Sequence, residues 1–210
     1  MPKKKPAKKP EIDPRFGDFF ELKVEQELLK HRQIMIFSEI NQGLAREVIE
    51  KLLVLDSLSR DPIMMWINSG GGSVDDGYAI IDVMQQSRSP IITLVVGSAC
   101  SMAAQISIVG DIRKMTTNST WMAHDMAGGV WGDYTTKVID RVEYLEREQY
   151  KGEQHLRRHT NLSDKDIAKA KNGELWLYPE KCLQYGIIDE IIVPPTGRNE
   201  IRKSAKKKKR

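Results

Sequence analysis

The sequence predicts an α/β fold in which a largely parallel sheet is flanked by helices. Short runs of consecutive apolar residues alternate along the chain with segments whose apolar residues recur every three or four positions. The runs fit β-strands and the spaced segments fit amphipathic helices. Because the runs are continuously apolar, we expect both faces of these strands to be covered, as in a parallel sheet. The chain has 210 residues, 40% of them hydrophobic, which is enough for one compact core.

The first half of the chain predicts three strands joined by helices. Apolar runs place strands at residues 34–37, 63–67 and 91–96. Residues 97–109 begin with small side chains and continue apolar, which predicts a buried helix. The helices between the strands are predicted from apolar residues at helical spacing, namely Leu44, Val48, Leu52 and Leu55 for the first helix and Val74, Tyr78, Ile81 and Met84 for the second.

The second half predicts shorter strands and one long helix. Residues 134–158 are heavily charged and carry Val138, Val142 and Leu145 on one stripe, which predicts a long protruding helix. The shorter elements are predicted as strands at 112–115, 121–123, 187–188 and 191–193, and as helices at 164–171 and 179–185.

The positive charge of the chain is concentrated at its two ends. The sequence has 33 Lys and Arg against 29 Asp and Glu, but twelve of the basic residues lie within residues 1–10 and 202–210, which leaves 21 against 29 elsewhere. Residues 1–12 and 194–210 are therefore predicted to be flexible basic tails around one domain at residues 13–193. No aromatic residue is interleaved with the lysines, so nucleic-acid binding is not predicted.

Several classes of protein are not expected from this sequence. No run of eighteen apolar residues predicts a membrane span, and no apolar stretch follows the basic start as in a secretory signal. Two cysteines, Cys100 and Cys182, do not make a disulfide scaffold and fit a reducing compartment. Because neither a CxxC pair nor an HExxH motif is present, no metal site is predicted.

Small or reactive residues follow three of the predicted strands. Since the C-terminal ends of parallel strands meet at one edge of a sheet, we expect these segments at a common site. Residues 68–72, with three successive glycines, would let backbone amides face a ligand. Ser101 stands near the start of a predicted helix, where it is either a nucleophile beside a free amide or simply the helix cap.

One of the four histidines is predicted to lie at this site. His31, His155 and His159 stand among charged residues and are predicted to face solvent. His124 instead ends a predicted strand among small and apolar residues. It is either a general base for a nearby hydroxyl or a packed, hydrogen-bonded residue.

In this order the segments resemble the motifs of the Clp protease proteolytic subunit (ClpP) family of compartmented serine peptidases, over about residues 19–193. The sequence INSGGGSV at 67–74 resembles the family's INSPGGSV, SACSMAA at 98–104 resembles QAASMGA, and MAHDMAGG at 122–129 resembles MIHQPLGG. The resemblance implies a crotonase/ClpP-like fold. It also implies a serine endopeptidase that hydrolyses peptide bonds of unfolded polypeptides without a metal or an organic cofactor.

The resemblance also implies the roles of individual residues. Ser101 matches the nucleophile and His124 the base, and an alignment without a gap places Glu174 on the family's third, acidic residue. Asp125 is a weaker candidate for that acid because adjacent strand residues point to opposite faces. The backbone amides of Gly72 and Met102 would form the oxyanion hole.

Departures from the family pattern indicate a divergent or phage-like member and leave two alternatives open. Glu174 replaces an aspartate and Ala103 replaces a glycine, which would also fit a catalytically inactive ring subunit. The second alternative is a crotonase-like acyl-CoA enzyme, which shares the broad fold but would use carboxylates in place of the Ser101 and His124 pair.

An assembly is implied by the same resemblance. Family members form homo-oligomers in which two seven-subunit rings stack around a closed chamber, and the charged helix at 134–158 matches the helix that joins the rings. Because the chain has no Walker motif, ATP use would belong to a partner, a hexameric AAA+ ATPase that unfolds the polypeptide substrate. We expect a cytoplasmic location in a bacterium, or in an infected host cell if the protein is phage-encoded, and no membrane partner.

Overall fold

A computed structural model describes residues 14–126 and 135–194, with side chains placed from residue 20 in the first helix and from residue 137 in the long helix. The helices are α1 (Pro14–Lys30), α2 (Gln42–Leu58), α3 (Val74–Gln86), α4 (Met102–Ser107), α5 (Thr135–His159), α6 (Asp164–Lys171) and α7 (Pro179–Gln184). The strands are β1 (Gln33–Ile36), β2 (Ile63–Ser69), β3 (Ile91–Cys100), β4 (Ile112–Thr116), β5 (Thr120–His124), β6 (Glu174–Leu177) and β7 (Glu190–Ile192).

The sheet is largely parallel, as predicted. Its main path runs β1-β2-β3-β4-β7, and every neighbouring pair on this path is parallel. Strand β5 joins β3 in parallel, and β6 joins β5 in the antiparallel direction. The β5–β6 pair is therefore a branch that leaves the main sheet at the end of β3.

The branch arises because β3 changes its partner along its length. Residues 92–95 pair with β4, whereas residues 98–100 pair with β5. Between the two halves Gly97 has φ +84°, and a Cβ on it would lie 2.6 Å from Asn68 Oδ1. A side chain is excluded at this bend, so glycine allows β3 to turn toward β5.

The core is formed by the predicted apolar stripes. On α2 the residues Val48, Leu52 and Leu55 are buried, and on α3 the residues Tyr78 and Met84 are buried. They pack with the central strands, whose apolar residues Ile36, Ile67 and Val95 belong to the same cluster of buried side chains. Covering the strands in this way removes their apolar surface from water, which is the main force that stabilises such a fold.

Two helices next to the sheet begin at side-chain caps. Asn41 Oδ1 accepts a hydrogen bond of 3.1 Å from Leu44 N at the start of α2. Ser73 Oγ accepts one of 3.3 Å from Asp76 N at the start of α3, directly after the glycine segment. Each cap satisfies one of the amides that a helix start leaves without a partner.

Some element predictions were wrong. Helix α1 and strand β6 were not predicted, and residues 187–188 form no strand although both side chains are buried. The helix predicted at 97–109 is shorter, because β3 continues to Cys100 before α4 begins at Met102. Most of the predicted tails, at 1–12 and 194–210, and the glycine pair at 128–129 lie outside the described residues.

None of the helices within the described ranges has the length and apolar character that crossing a membrane requires.

Candidate active site

A cavity of about 500 Å³ lies where β2, β3 and β5 end. Its lining includes Gly72, Ser101, Met102 and His124, four of the five residues predicted for the site. Glu174 is outside this lining. The parallel strands therefore bring together segments that are separated by up to about fifty positions in the chain. This was predicted from the rule that the C-terminal ends of parallel strands meet at one edge of a sheet.

Ser101 occupies the sharp turn between β3 and α4. Its backbone has φ 55° and ψ −122°, a conformation that side-chain-bearing residues rarely adopt and that costs about 1–3 kcal/mol. Ser101 N donates a 2.8 Å hydrogen bond to the carbonyl oxygen of Met122 on β5, which holds the turn in place. The hydroxyl makes no capping hydrogen bond, so the alternative role as a helix cap is wrong.

The glycine segment lies against the start of α4. A Cβ on Gly71 would lie 2.7 Å from Ser101 Cβ and 3.0 Å from Met102 N, so only glycine permits this approach. Gly71 N is already used, because it donates to Ser69 Oγ at 3.1 Å. Within the described ranges, Gly72 N and Met102 N have no acceptor. With no acceptor among the residues that the structure describes, these two amides can donate to a negatively charged oxygen next to Ser101.

Replacing Gly72 with alanine is expected to lower kcat/KM by about 10²–10³-fold for a reaction that places negative charge on an oxygen beside Ser101, the typical effect of losing one oxyanion donor. Gly72 has φ +147°, and a Cβ on it would lie 2.2 Å from the carbonyl oxygen of Ile40, so the loop must move. Gly70→Ala is the matched control, since a Cβ there has no atom within 4 Å. Steady-state kinetics of both variants check this, and equal rates would contradict the role of Gly72.

His124 is the last residue of β5 and is half-buried at the cavity wall. It lies two residues beyond Met122, the residue whose carbonyl oxygen binds Ser101 N. Neither the His124 ring nor Ser101 Oγ has a hydrogen-bond partner among the described residues. Both groups line one cavity, but they are not hydrogen-bonded to each other in this structure.

Glu174 is the residue directly opposite His124 in the antiparallel β5–β6 pair. Residues paired in this way project from the same face of the sheet, with Cβ atoms roughly 5 Å apart. The carboxylate is exposed, and its Oε2 atom accepts a 2.7 Å hydrogen bond from the indole Nε1 of Trp176. The register of the β5–β6 pair places Glu174 next to His124, while the Glu174 side chain is turned toward Trp176.

Asp125 follows the end of β5, so the alternation of strand side chains does not apply to it. It lines the cavity together with His124, and its Oδ1 atom accepts a 2.7 Å hydrogen bond from Met126 N. The premise that Asp125 is a strand residue is therefore wrong, and its rank as the weaker candidate for the acid stays a prediction.

Residues on three helices also line the cavity and were not predicted as site residues. They are Tyr78 on α3, Gln105 on α4, and Glu148 and Gly152 on α5. The signal that could have identified them is the spacing of Glu148 and Gly152, which lie one helical turn apart within a helix of charged residues.

His155 on α5 was predicted to face solvent and is instead buried behind these lining residues. Its Nε2 atom lies 3.2 Å from the carbonyl oxygen of Gln105, and its ring contacts Tyr78 edge to face. Burial lowers the pKa of His155 to about 4, helped by the neighbouring His159, and burial raises the pKa of Tyr78 to about 12, helped by Glu148. Both side chains are therefore neutral at pH 7.

Comparison with known proteins matches this architecture to one family. A family model described as Clp protease matches residues 19–195. The ATP-dependent Clp protease proteolytic subunit 2 of Treponema pallidum is 34% identical over 170 residues, covering 80% of this chain and 85% of the relative. The ATP-dependent Clp protease proteolytic subunit of Lactococcus lactis subsp. cremoris is 34% identical over 169 residues, covering 79% and 85%.

A solved structure gives the same result for the fold. A ClpP1 mutant from Listeria monocytogenes matches with a TM-score of 0.73 and 29% sequence identity, and the match covers 83% of this chain and 98% of that one.

Proposed function

The chain belongs to the Clp protease family and is a serine-type proteolytic subunit, and we propose that it hydrolyses peptide bonds with Ser101 as nucleophile and His124 as general base. The family match also favours the peptidase over the acyl-CoA enzyme considered from the sequence. The observation that supports the residue assignment is the shared cavity, whose lining includes Ser101, His124, Gly72 and Met102.

The geometry supports the following sequence of steps. Ser101 Oγ attacks the carbonyl carbon of the peptide bond, while His124 takes the hydroxyl proton. The negative charge that develops on the carbonyl oxygen is stabilised by Gly72 N and Met102 N. His124 then returns the proton to the leaving amine, and water hydrolyses the acyl-enzyme by the same route.

Glu174 is proposed as the acid that orients the imidazole ring. A carboxylate beside the ring holds the tautomer in which the other ring nitrogen can accept the Ser101 proton, and it stabilises the imidazolium that forms. The register opposite His124 supports this role. Trp176 holds the Oε2 atom of Glu174, and rotation about the side-chain torsions of Glu174 would direct a carboxylate oxygen toward the ring.

We propose that the protein assembles into two stacked seven-subunit rings and that a hexameric Clp ATPase delivers unfolded polypeptide to them. The exposed face of α5 supports a ring contact through this helix, because Ile139 is 56% exposed, Val142 44% and Tyr150 64%. Several apolar side chains exposed on one helix are typical of an interaction surface. Within such an assembly we place the protein in the cytoplasm of a bacterium or of a phage-infected cell.

The isolated protein is expected to run at the mass of fourteen subunits and to cleave short fluorogenic peptides in that form without ATP. Native mass spectrometry measures the assembly, and peptide fluorescence measures the activity of the same sample. Cleavage of a long unfolded protein should require the ATPase, whereas short peptides diffuse in freely. A correctly assembled ring without any peptidase activity would support the inactive ring subunit instead.

A further inference from the structure

Resting on the proposed peptidase function, we propose that His155 on α5 is a positioning residue for the oxyanion hole. His155 lies outside the described lining of the cavity, so it acts through another residue. Its Nε2 atom is 3.2 Å from the carbonyl oxygen of Gln105 on α4, the helix that begins at Met102. By holding this helix, His155 keeps the Met102 amide in the orientation that a negatively charged oxygen beside Ser101 requires.

The carbonyl that His155 contacts belongs to the last turn of α4. The final four carbonyl groups of a helix have no donor among the helix's own amides, so each needs a partner from elsewhere. Three of them are bound by a side chain of α4, by the turn after it and by β3, namely Ala104 by Ser107 Oγ, Ile106 by Val109 N and Ser107 by Thr93 Oγ1. For the fourth, at Gln105, His155 is the donor that the described residues provide.

The ring of His155 is held in place to make this hydrogen bond. A carbonyl oxygen can only accept, so Nε2 carries the proton and the neutral ring has its lone pair on Nδ1. The ring stands edge to face against Tyr78 on α3, with 6.2 Å between the centroids, and its centroid lies 4.5 Å from that of His159. Because His155 is only 6% exposed, these packed rings and not the solvent determine where Nε2 points.

A short helix connects this hydrogen bond to the oxyanion donor. Gln105 N donates a 3.2 Å hydrogen bond to the carbonyl oxygen of Ser101, so one helical turn separates the residue that His155 holds from the nucleophile. Helix α4 has six residues and is therefore about 9 Å long. A rotation at its end is thus passed on to Met102 at its start.

Packing alone does not fix the rotation of α4. The side chains of Ala103 and Ala104 are fully buried but small. The Met102 side chain fills the space that Gly77 leaves on α3, where a Cβ would lie 2.1 Å from Met102 Cγ. Such apolar contacts have no preferred direction, whereas a hydrogen bond does. The bond between His155 and Gln105 therefore sets the angle at which Met102 N meets the cavity.

Two substitutions of His155 test the hydrogen bond. His155→Gln and His155→Asn both introduce a neutral amide, but only the glutamine N–H reaches as far as Nε2. For a short fluorogenic peptide, His155→Gln is expected to keep kcat/KM within about threefold of the wild type, and His155→Asn to lower it about tenfold, because small displacements of a catalytic group are costly. KM should change little, since an oxyanion donor acts in the transition state. Equal kcat/KM values in the two variants would overturn the proposal.

A peptide boronate separates positioning from a general loss of stability. Ser101 Oγ bonds to boron while its proton passes to His124, and an oxygen of the tetrahedral adduct takes the place of the oxyanion. In His155→Asn the Kd of the boronate should rise about tenfold, in step with the fall in kcat/KM, while the Kd of the product peptide stays unchanged. An unchanged boronate Kd in this variant would contradict the proposal.

Ser89→Ala is the control for stability. Ser89 is buried at the opposite end of β3 from Ser101, and its hydroxyl donates a 2.9 Å hydrogen bond to Asp56 Oδ1. Its loss should lower the free energy of unfolding and leave the boronate Kd unchanged. All rates are expressed per Ser101 labelled by a fluorophosphonate, so unfolded protein does not count.

The same assays distinguish the two ways in which the proposal can fail. If the wild type neither cleaves peptides nor is labelled at Ser101, the peptidase function is wrong, and the positioning role is wrong with it. If the wild type is active and His155→Asn matches it in kcat/KM, the peptidase function stands and only the role of His155 is wrong.

Discussion

Replacing Ser101 with alanine is expected to lower kcat for peptide hydrolysis by about six orders of magnitude, because the attacking oxygen is lost and the remaining residues act as a unit with it. The wild-type protein should be labelled by a fluorophosphonate at Ser101, and the variant should not be labelled. Fluorescent-probe gels measure the labelling, and peptide fluorescence measures the rate. Retention of either signal in Ser101→Ala would show that another residue is the nucleophile.

Ser101→Gly provides a second readout that does not depend on catalysis. The serine is held at φ 55° and ψ −122°, a backbone conformation that glycine adopts without strain. We therefore expect Ser101→Gly to be as inactive as Ser101→Ala and to have a free energy of unfolding about 1 kcal/mol higher than Ser101→Ala. Chemical denaturation of both variants measures the difference, and equal stability would argue against strain at the turn.

Replacing Glu174 with glutamine is expected to lower kcat by about 10³–10⁴-fold, because an amide cannot stabilise the imidazolium and favours the wrong tautomer of His124. The side chain keeps its size, so the effect tests charge and not packing. Glu174→Asp keeps the carboxylate on a shorter stem and should retain more activity than Glu174→Gln. Steady-state kinetics with one short peptide measure all variants at saturating substrate.

Two further variants identify the acid if Glu174→Gln stays active. Asp125→Asn tests the other carboxylate near His124, which lines the cavity after the end of β5. Trp176→Phe removes the indole that holds Glu174 Oε2 at 2.7 Å and is expected to leave the rate unchanged or raise it. Full activity in Glu174→Gln together with a large loss in Asp125→Asn would transfer the orienting role to Asp125.

The central strands and the two helices between them were predicted correctly because their signals are local. The stripe Val48, Leu52 and Leu55 needs only helical periodicity to be recognised, and these residues are buried on α2 as expected. Strand β6 was missed because it has only four residues, too few for periodicity to distinguish a strand, although three of them are apolar. It forms by pairing with β5, which is a contact between residues at least fifty positions apart.

The burial of His155 is a second feature that local sequence patterns did not predict. Its neighbours in sequence are charged, so composition predicts an exposed side chain. Along α5, however, Glu148, Gly152 and His155 share one face, which covers α3 and α4. Helical spacing reveals such a face, but it does not reveal that a polar face is the buried one.

Local patterns and motif order were thus sufficient for the α/β class, the family, and the choice of Ser101, His124, Gly72 and Met102 as candidates. They depend on side-chain type and spacing, which can be read directly along the chain. Only the folded chain decided the strained turn at Ser101, the pairing of Glu174 with His124, and the hydrogen bond between Trp176 and Glu174. The same holds for the helix residues that line the cavity. Each of these depends on strand register and helix packing between distant segments, and no local pattern encodes such long-range contacts.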